Sequence, residues 1–121
     1  MPVRLRPADP VLVDAAVVRF RDGRADDADL RLLTKHLLAL LVRRAPGGAV
    51  EVRVPPYAVA QCVEGTRHTR GTPPAVVEMD APTWIGLAVG DLDWDDVHRD
   101  AGLTASGERS DLSSYLPLLA S

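Results

Sequence analysis

Residues 28–44 carry seven leucines in 17 positions, and no other stretch constrains the fold as strongly. Leu30, Leu33, Leu37 and Leu40/Leu41 recur at three- and four-residue spacing, so they share one face of a helix. Leu32 and Leu38 lie off that stripe. A helix apolar on more than one side is buried on two faces or lines an interface. Asp26 or Asp27 is placed to cap its start, Arg43 and Arg44 sit where the helix dipole favours cations, and Pro46-Gly47-Gly48 ends it. Its longest apolar run, residues 37–42, has six residues, far short of the ~20 that cross a bilayer. The chain is therefore expected to have no transmembrane segment.

The remaining elements arrange themselves around that helix. Asp9 caps a first helix over 9–21, with Pro10 at its first position and Val13, Ala16, Val17 and Phe20 on one stripe. Val50, Val52 and Val54 alternate with Glu51 and Arg53, the period of a half-buried strand. Pro55-Pro56 interrupts it, and residues 57–63 and 75–79 read as further strands, with residues 65–70 a possible extra one. Asp80 caps a helix that Gly90 closes, and Asp93 caps a short helix that Gly102 closes. Residues 103–106 read as a short strand. Asp111 opens a last amphipathic helix carrying Leu112, Tyr115, Leu116 and Leu119, which Pro117 must shorten or kink. Consecutive strands with short connections predict a mostly antiparallel sheet and the α+β class.

At 121 residues the chain is read as one domain, 1–121, with a core over about 9–119. Only five residues are aromatic, so that core must be built mainly from Leu, Val and Ala. The net charge of −3 argues against a general nucleic-acid binder. The charge is uneven: residues 1–77 carry 12 basic and 8 acidic side chains, and residues 78–121 carry 2 basic and 9 acidic. The bland reading of the acidic part is solvated helix faces and caps; the other is a complementary docking surface. No signal-peptide pattern is present in residues 1–9, and a cytoplasmic location is expected. Cys62 is the only cysteine, which excludes an internal disulfide and a cysteine-based zinc site.

Chemistry-bearing motifs are sparse. The densest polar cluster is Glu64-Gly65-Thr66-Arg67-His68-Thr69-Arg70-Gly71. Arg67, His68 and Arg70 have the donors to hold a carboxylate or phosphate, and the plainer reading is a polar strand or hairpin in solvent. Residues 65–71 lack the Gly-Lys-Ser/Thr ending of a phosphate loop. Ser106, Ser110, Ser113 and Ser114 sit where serines cap and turn the chain. His36, His68 and His98 fall on three elements with no ligand spacing. Asp91, Asp93, Asp95 and Asp96 lack the glycine and terminal glutamate of a calcium loop. Neither a catalytic residue, a metal site nor a cofactor is expected, and Cys62 reads as a small core residue.

The C-terminal residues resemble those of a known family. Thr83-Trp84-Ile85-Gly86-Leu87-Ala88-Val89-Gly90, the short helix at 94–100, Gly102-Leu103-Thr104-Ala105-Ser106-Gly107 and the last amphipathic helix look like the end of the sterol carrier protein type 2 family. His68-Thr69-Arg70-Gly71-Thr72-Pro73-Pro74 with Val76-Val77-Glu78 is similar to its small one-domain bacterial branch. The resemblance implies a largely antiparallel sheet of about five strands with helices on one side, enclosing an apolar cavity. It implies a non-enzymatic carrier of a lipid, fatty acyl chain or other apolar small molecule. Leu33, Leu37, Leu41, Trp84, Leu87, Leu116 and Leu119 are then the candidate walls, with Arg67, His68 and Arg70 at the mouth. Bacterial relatives also occur as a domain of mycothiol-dependent isomerases, whose metal chemistry lies in a separate helical bundle. The alternative is thus an interaction module with a filled core, a homodimer or partner of such an enzyme, using Leu32 and Leu38. An enzyme acting on a small acid through His68 and Arg70 is the third and weakest reading.

Overall fold

A computed structural model describes residues 5–65, 74–107 and 109–119. Helix α1 spans Pro10–Arg21 and starts at Asp9, whose carboxylate accepts the Val11 N–H. Helix α2 spans Asp27–Arg44 and opens with a capping box: Asp26 accepts from the Asp29 N–H and Asp29 accepts from the Asp26 N–H. Strands β1 (Val50–Val54), β2 (Ala58–Cys62) and β3 (Ala75–Met79) follow. Then come α3 (Ala81–Val89), α4 (Trp94–Arg99) and β4 (Leu103–Ser106). The Asp80 and Asp93 caps act as expected, and Gly90 ends α3 at φ 88°.

Among the described residues the sheet has four strands in the order β2-β1-β3-β4. The fold is α+β, but the sheet is mixed: β1 pairs antiparallel with β2 and parallel with β3, and β3 pairs antiparallel with β4. This corrects the expectation of about five mostly antiparallel strands. Residues 65–70, read as a possible extra strand, lie mostly outside the described residues. The antiparallel inference assumed that β2 and β3 are neighbours. Instead the chain leaves β2 at one edge, passes the start of β1 and enters β3 on its far side. Ala49 marks the crossing: its N–H donates to the Val63 carbonyl (2.9 Å) and its carbonyl accepts from the Ala75 N–H (2.9 Å).

Burial alternates along every strand. Val50, Val52, Val54, Ala60, Cys62, Val77, Met79 and Leu103 point into the core, while Arg53, Val59, Gln61, Glu78 and Thr104 are exposed. One sheet face meets the helices and the other carries the exposed side chains. Helix α2 is central, packing against α1, α3 and β2. Its off-stripe Leu38 is fully buried and Leu32 half-buried, so within one chain α2 is covered on more than one face.

The expected last amphipathic helix is corrected. Residues Ser113–Tyr115 form a single 3-10 turn, and Leu116 is already extended at φ −110°, ψ 150°. Pro117 explains this, since it disfavours helical backbone at the residue before it and has no N–H to give. The segment is held by its backbone instead. Leu118 N–H donates to the Ala88 carbonyl (2.7 Å), and Arg44 Nη1 donates to the carbonyls of Tyr115 (2.8 Å) and Pro117 (2.7 Å). Leu112 and Leu118 are buried; Leu116 and Leu119 pack half-buried against the core.

Candidate functional site

The structure places the sequence-derived walls in the core. Leu33, Leu37, Leu41 and Trp84 are fully shielded from solvent, and Leu87 nearly so, within one packed cluster. The Trp84 indole N–H donates to the Thr34 carbonyl (3.3 Å), fixing the ring between α2 and α3. Arg67, His68 and Arg70 lie outside the described residues. Cys62 is fully buried, and burial pushes its thiol up to about 11, so it stays protonated and inert at neutral pH.

Two grooves open instead on the side of α2 away from its leucine stripe. The larger has a volume of ≈ 1010 Å³ and lies between the C-terminal half of α2, the edge of β2 and residues 5–7. Ala39, Val42, Ala60, Leu5 and Pro7 give it an apolar floor; Arg6, Arg43, Glu51 and Gln61 supply polar groups. Helical spacing puts Ala39, Val42 and Arg43 side by side, and strand alternation brings Val59 and Gln61 round from the outer sheet face. The second groove, ≈ 520 Å³, lies over the N-terminal half of α2 and is lined by Ala8, Ala28 and Leu32 with Arg6, Asp27, Arg31, Lys35 and His36.

Residues 5–8 separate the two grooves, with Arg6 facing both. The Ala8 N–H donates to His36 Nδ1 (2.9 Å), which puts the neutral imidazole's proton on Nε2. Burial holds this imidazole below its ordinary value. Asp27 accepts from the Tyr57 hydroxyl (2.5 Å), and the Arg31 guanidinium lies 5.9 Å from the Tyr57 ring centre. Together the two grooves present an apolar floor, four cationic side chains (Arg6, Arg31, Lys35 and Arg43) and two carboxylates (Asp27 and Glu51).

Sequence reasoning missed both grooves. One signal was present. Ala28, Leu32, Lys35, Ala39 and Val42 recur at four- and three-residue steps, a second stripe of which only Leu32 was singled out.

The fold is a one-sheet α+β arrangement with an open apolar groove flanked by cations. The chain belongs to the bacterial SCP ortholog family, which it matches over residues 26–118. The resemblance in its sequence to the small bacterial branch of the sterol carrier type is thereby shown. No curated protein gives a significant match.

Proposed function

We propose that this protein is a non-enzymatic, cytoplasmic carrier of an apolar small molecule bearing an acidic group, such as a fatty acyl chain, held in the larger groove. The groove itself carries the reading: its ≈ 1010 Å³ lies at the upper end of the ~300–1,000 Å³ of ligand pockets, and Arg6 and Arg43 flank its apolar floor. Family membership supports a lipid-carrier role. No helix among the described residues is long and apolar enough to cross a membrane. Burying a ~12-carbon chain at about 0.8 kcal/mol per CH₂ gives a gross ~10 kcal/mol, from which ordering costs subtract.

Native mass spectrometry on protein from its expression host, repeated after denaturation and organic extraction, tests this. A co-purifying acyl lipid supports the carrier. Clean protein that also fails to bind added dodecanoate removes it.

A second reading, an interaction module, rests on α1. Val11, Leu12 and Val18 are 74%, 57% and 57% exposed there, an apolar face with no partner among the described residues. Light scattering showing a dimer, with no ligand bound, would favour it.

A further inference from the structure

We propose that the two grooves are halves of one trough along α2, that residues 5–8 are a strap dividing it, and that the His36–Ala8 hydrogen bond is the pH-sensitive latch holding the strap down. The inference rests on the carrier reading for its ligand, but the latch stands on its own geometry.

Both grooves have α2 as floor and the strap as shared wall. Leu5, Arg6 and Pro7 line the larger, while Arg6 and Ala8 line the smaller. Beneath the strap the outward side of α2 runs from the apolar Ala28 and Leu32, past Lys35 and His36, to the apolar Ala39 and Val42. Arg31, Lys35 and Arg43 follow the same side at four- and eight-residue steps. Lifting the strap joins the two grooves into one trough, apolar at both ends with Lys35 between them and Arg31 and Arg43 alongside, suited to a long anionic amphiphile rather than a compact one.

The strap's described side-chain tether is a single bond. Among the described residues its only hydrogen bond to a side chain of α2 is Ala8 N–H to His36 Nδ1. Nδ1 accepts only while unprotonated. Protonating the ring turns Nδ1 into a donor facing another donor, and the latch fails. The surroundings oppose protonation while the strap is down. His36 is buried, and Arg6 from the strap and Arg31 and Lys35 from α2 line its groove against one carboxylate, Asp27. Asp27 is itself engaged by Tyr57 from the β1–β2 turn. Asp9, next to Ala8, caps α1, and α3 and β2 contribute no charged residue. Burial lowers the pKa of His36, so the closed state binds a proton less readily than the open one. Stability of the closed strap is therefore full above the ordinary histidine value of ~6.5 and is lost as pH falls below it, by about tenfold per pH unit down to the lowered value.

The test is amide exchange of Ala8 on the full-length protein, expressed as a protection factor, at about pH 7.5 and about pH 5. Alongside it, binding of 1-anilinonaphthalene-8-sulfonate is titrated, because its sulfonate stays ionised over this range. His36→Asn keeps an acceptor where Nδ1 sits and removes the titration; His36→Leu removes both. Expected is an Ala8 protection that falls in the wild type on acidification, stays high at both pH values in His36→Asn, and is low at both in His36→Leu. Probe affinity should rise on acidification in the wild type and not in His36→Asn. Equal pH dependence of Ala8 protection in wild type and His36→Asn overturns the latch. If His36→Leu fails to fold, the wild-type and His36→Asn comparison still decides. If the latch behaves as expected but the probe binds at neither pH, the latch stands and the carrier reading falls.

Discussion

Two glycines show how local geometry sets the cost of a single methyl group. At Gly47, φ is +144° and an added Cβ would lie 2.2 Å from the Val63 carbonyl oxygen, where the chain leaving α2 passes the end of β2. At Gly23, φ is +74° and nothing lies within 4 Å. Gly23→Ala should cost only the left-handed backbone term, about 1–2 kcal/mol. Gly47→Ala should cost more, about 3 kcal/mol or greater, because backbone must move as well. Chemical denaturation of the two variants checks the order. A single hydroxyl gives the opposite sign. Thr34 is fully buried and its Oγ1 has no partner among the described residues. Thr34→Val should therefore stabilise, by about 1 kcal/mol, without altering the fold; a loss of stability in thermal unfolding would contradict this.

Ion pairing at the residue scale makes a pH prediction. Arg19 Nε and Nη2 grip the two Asp29 oxygens at 2.8 and 2.7 Å, tying α1 to the first turn of α2. That guanidinium, helped by the Asp26 N–H, holds the Asp29 carboxyl down to about 2. A lowered acid contributes stability above its unfolded value near 4 and loses it as pH falls toward 2. Thermal unfolding followed over that window should show the wild type losing more stability on acidification than Asp29→Asn. Parallel curves for the two would remove the assignment.

At the scale of elements, α2 carries the fold and Leu38 tests it. This leucine lies off the main stripe and yet is fully buried. Leu38→Ala should cost about 2–5 kcal/mol, as much as a stripe position, whereas a surface leucine would cost little. Most elements were legible from sequence for an identifiable reason. Asp9, Asp26, Asp80 and Asp93 all cap as their positions suggested, and Val50–Val54 alternates cleanly. Three things were not legible. The pairing of β1 with β3 depends on where a connection travels, which periodicity does not encode. The last helix had the right stripe, but Pro117 outweighed it. The grooves depend on residues 5–8 folding back on α2, through a backbone N–H that carries no sequence signal.

At the scale of the whole molecule, the core and the proposed ligand site share a boundary: Ala39 and Ala60 are buried and also floor the groove, while its cations lie at the rim. The leucines and Trp84 that suggested an interior cavity are buried in, or packed half-buried against, one cluster between helices and sheet, and none of them lines the larger groove. Substitutions at its exposed rim should thus change binding without unfolding the protein. Arg43→Glu, at an exposed position beside the groove, should weaken dodecanoate about tenfold or more and leave the melting temperature nearly unchanged. Isothermal titration against a matched melt separates the two effects; equal affinity would place the acidic group elsewhere.

The crossing at Ala49 also bears on how the chain assembles in time. Strands β1 and β2 are joined by residues 55–57 and can zip as a hairpin at small entropic cost. Strand β3 pairs with β1 across a wider sequence separation, closing residues 63–74, and β4 pairs with β3 across α3 and α4. Nucleation should therefore lie in α2 and the β1–β2 hairpin. In stopped-flow measurements, Val52→Ala should slow refolding, whereas truncating Leu103 should mainly quicken unfolding. The last-added edge is then the one that opens first.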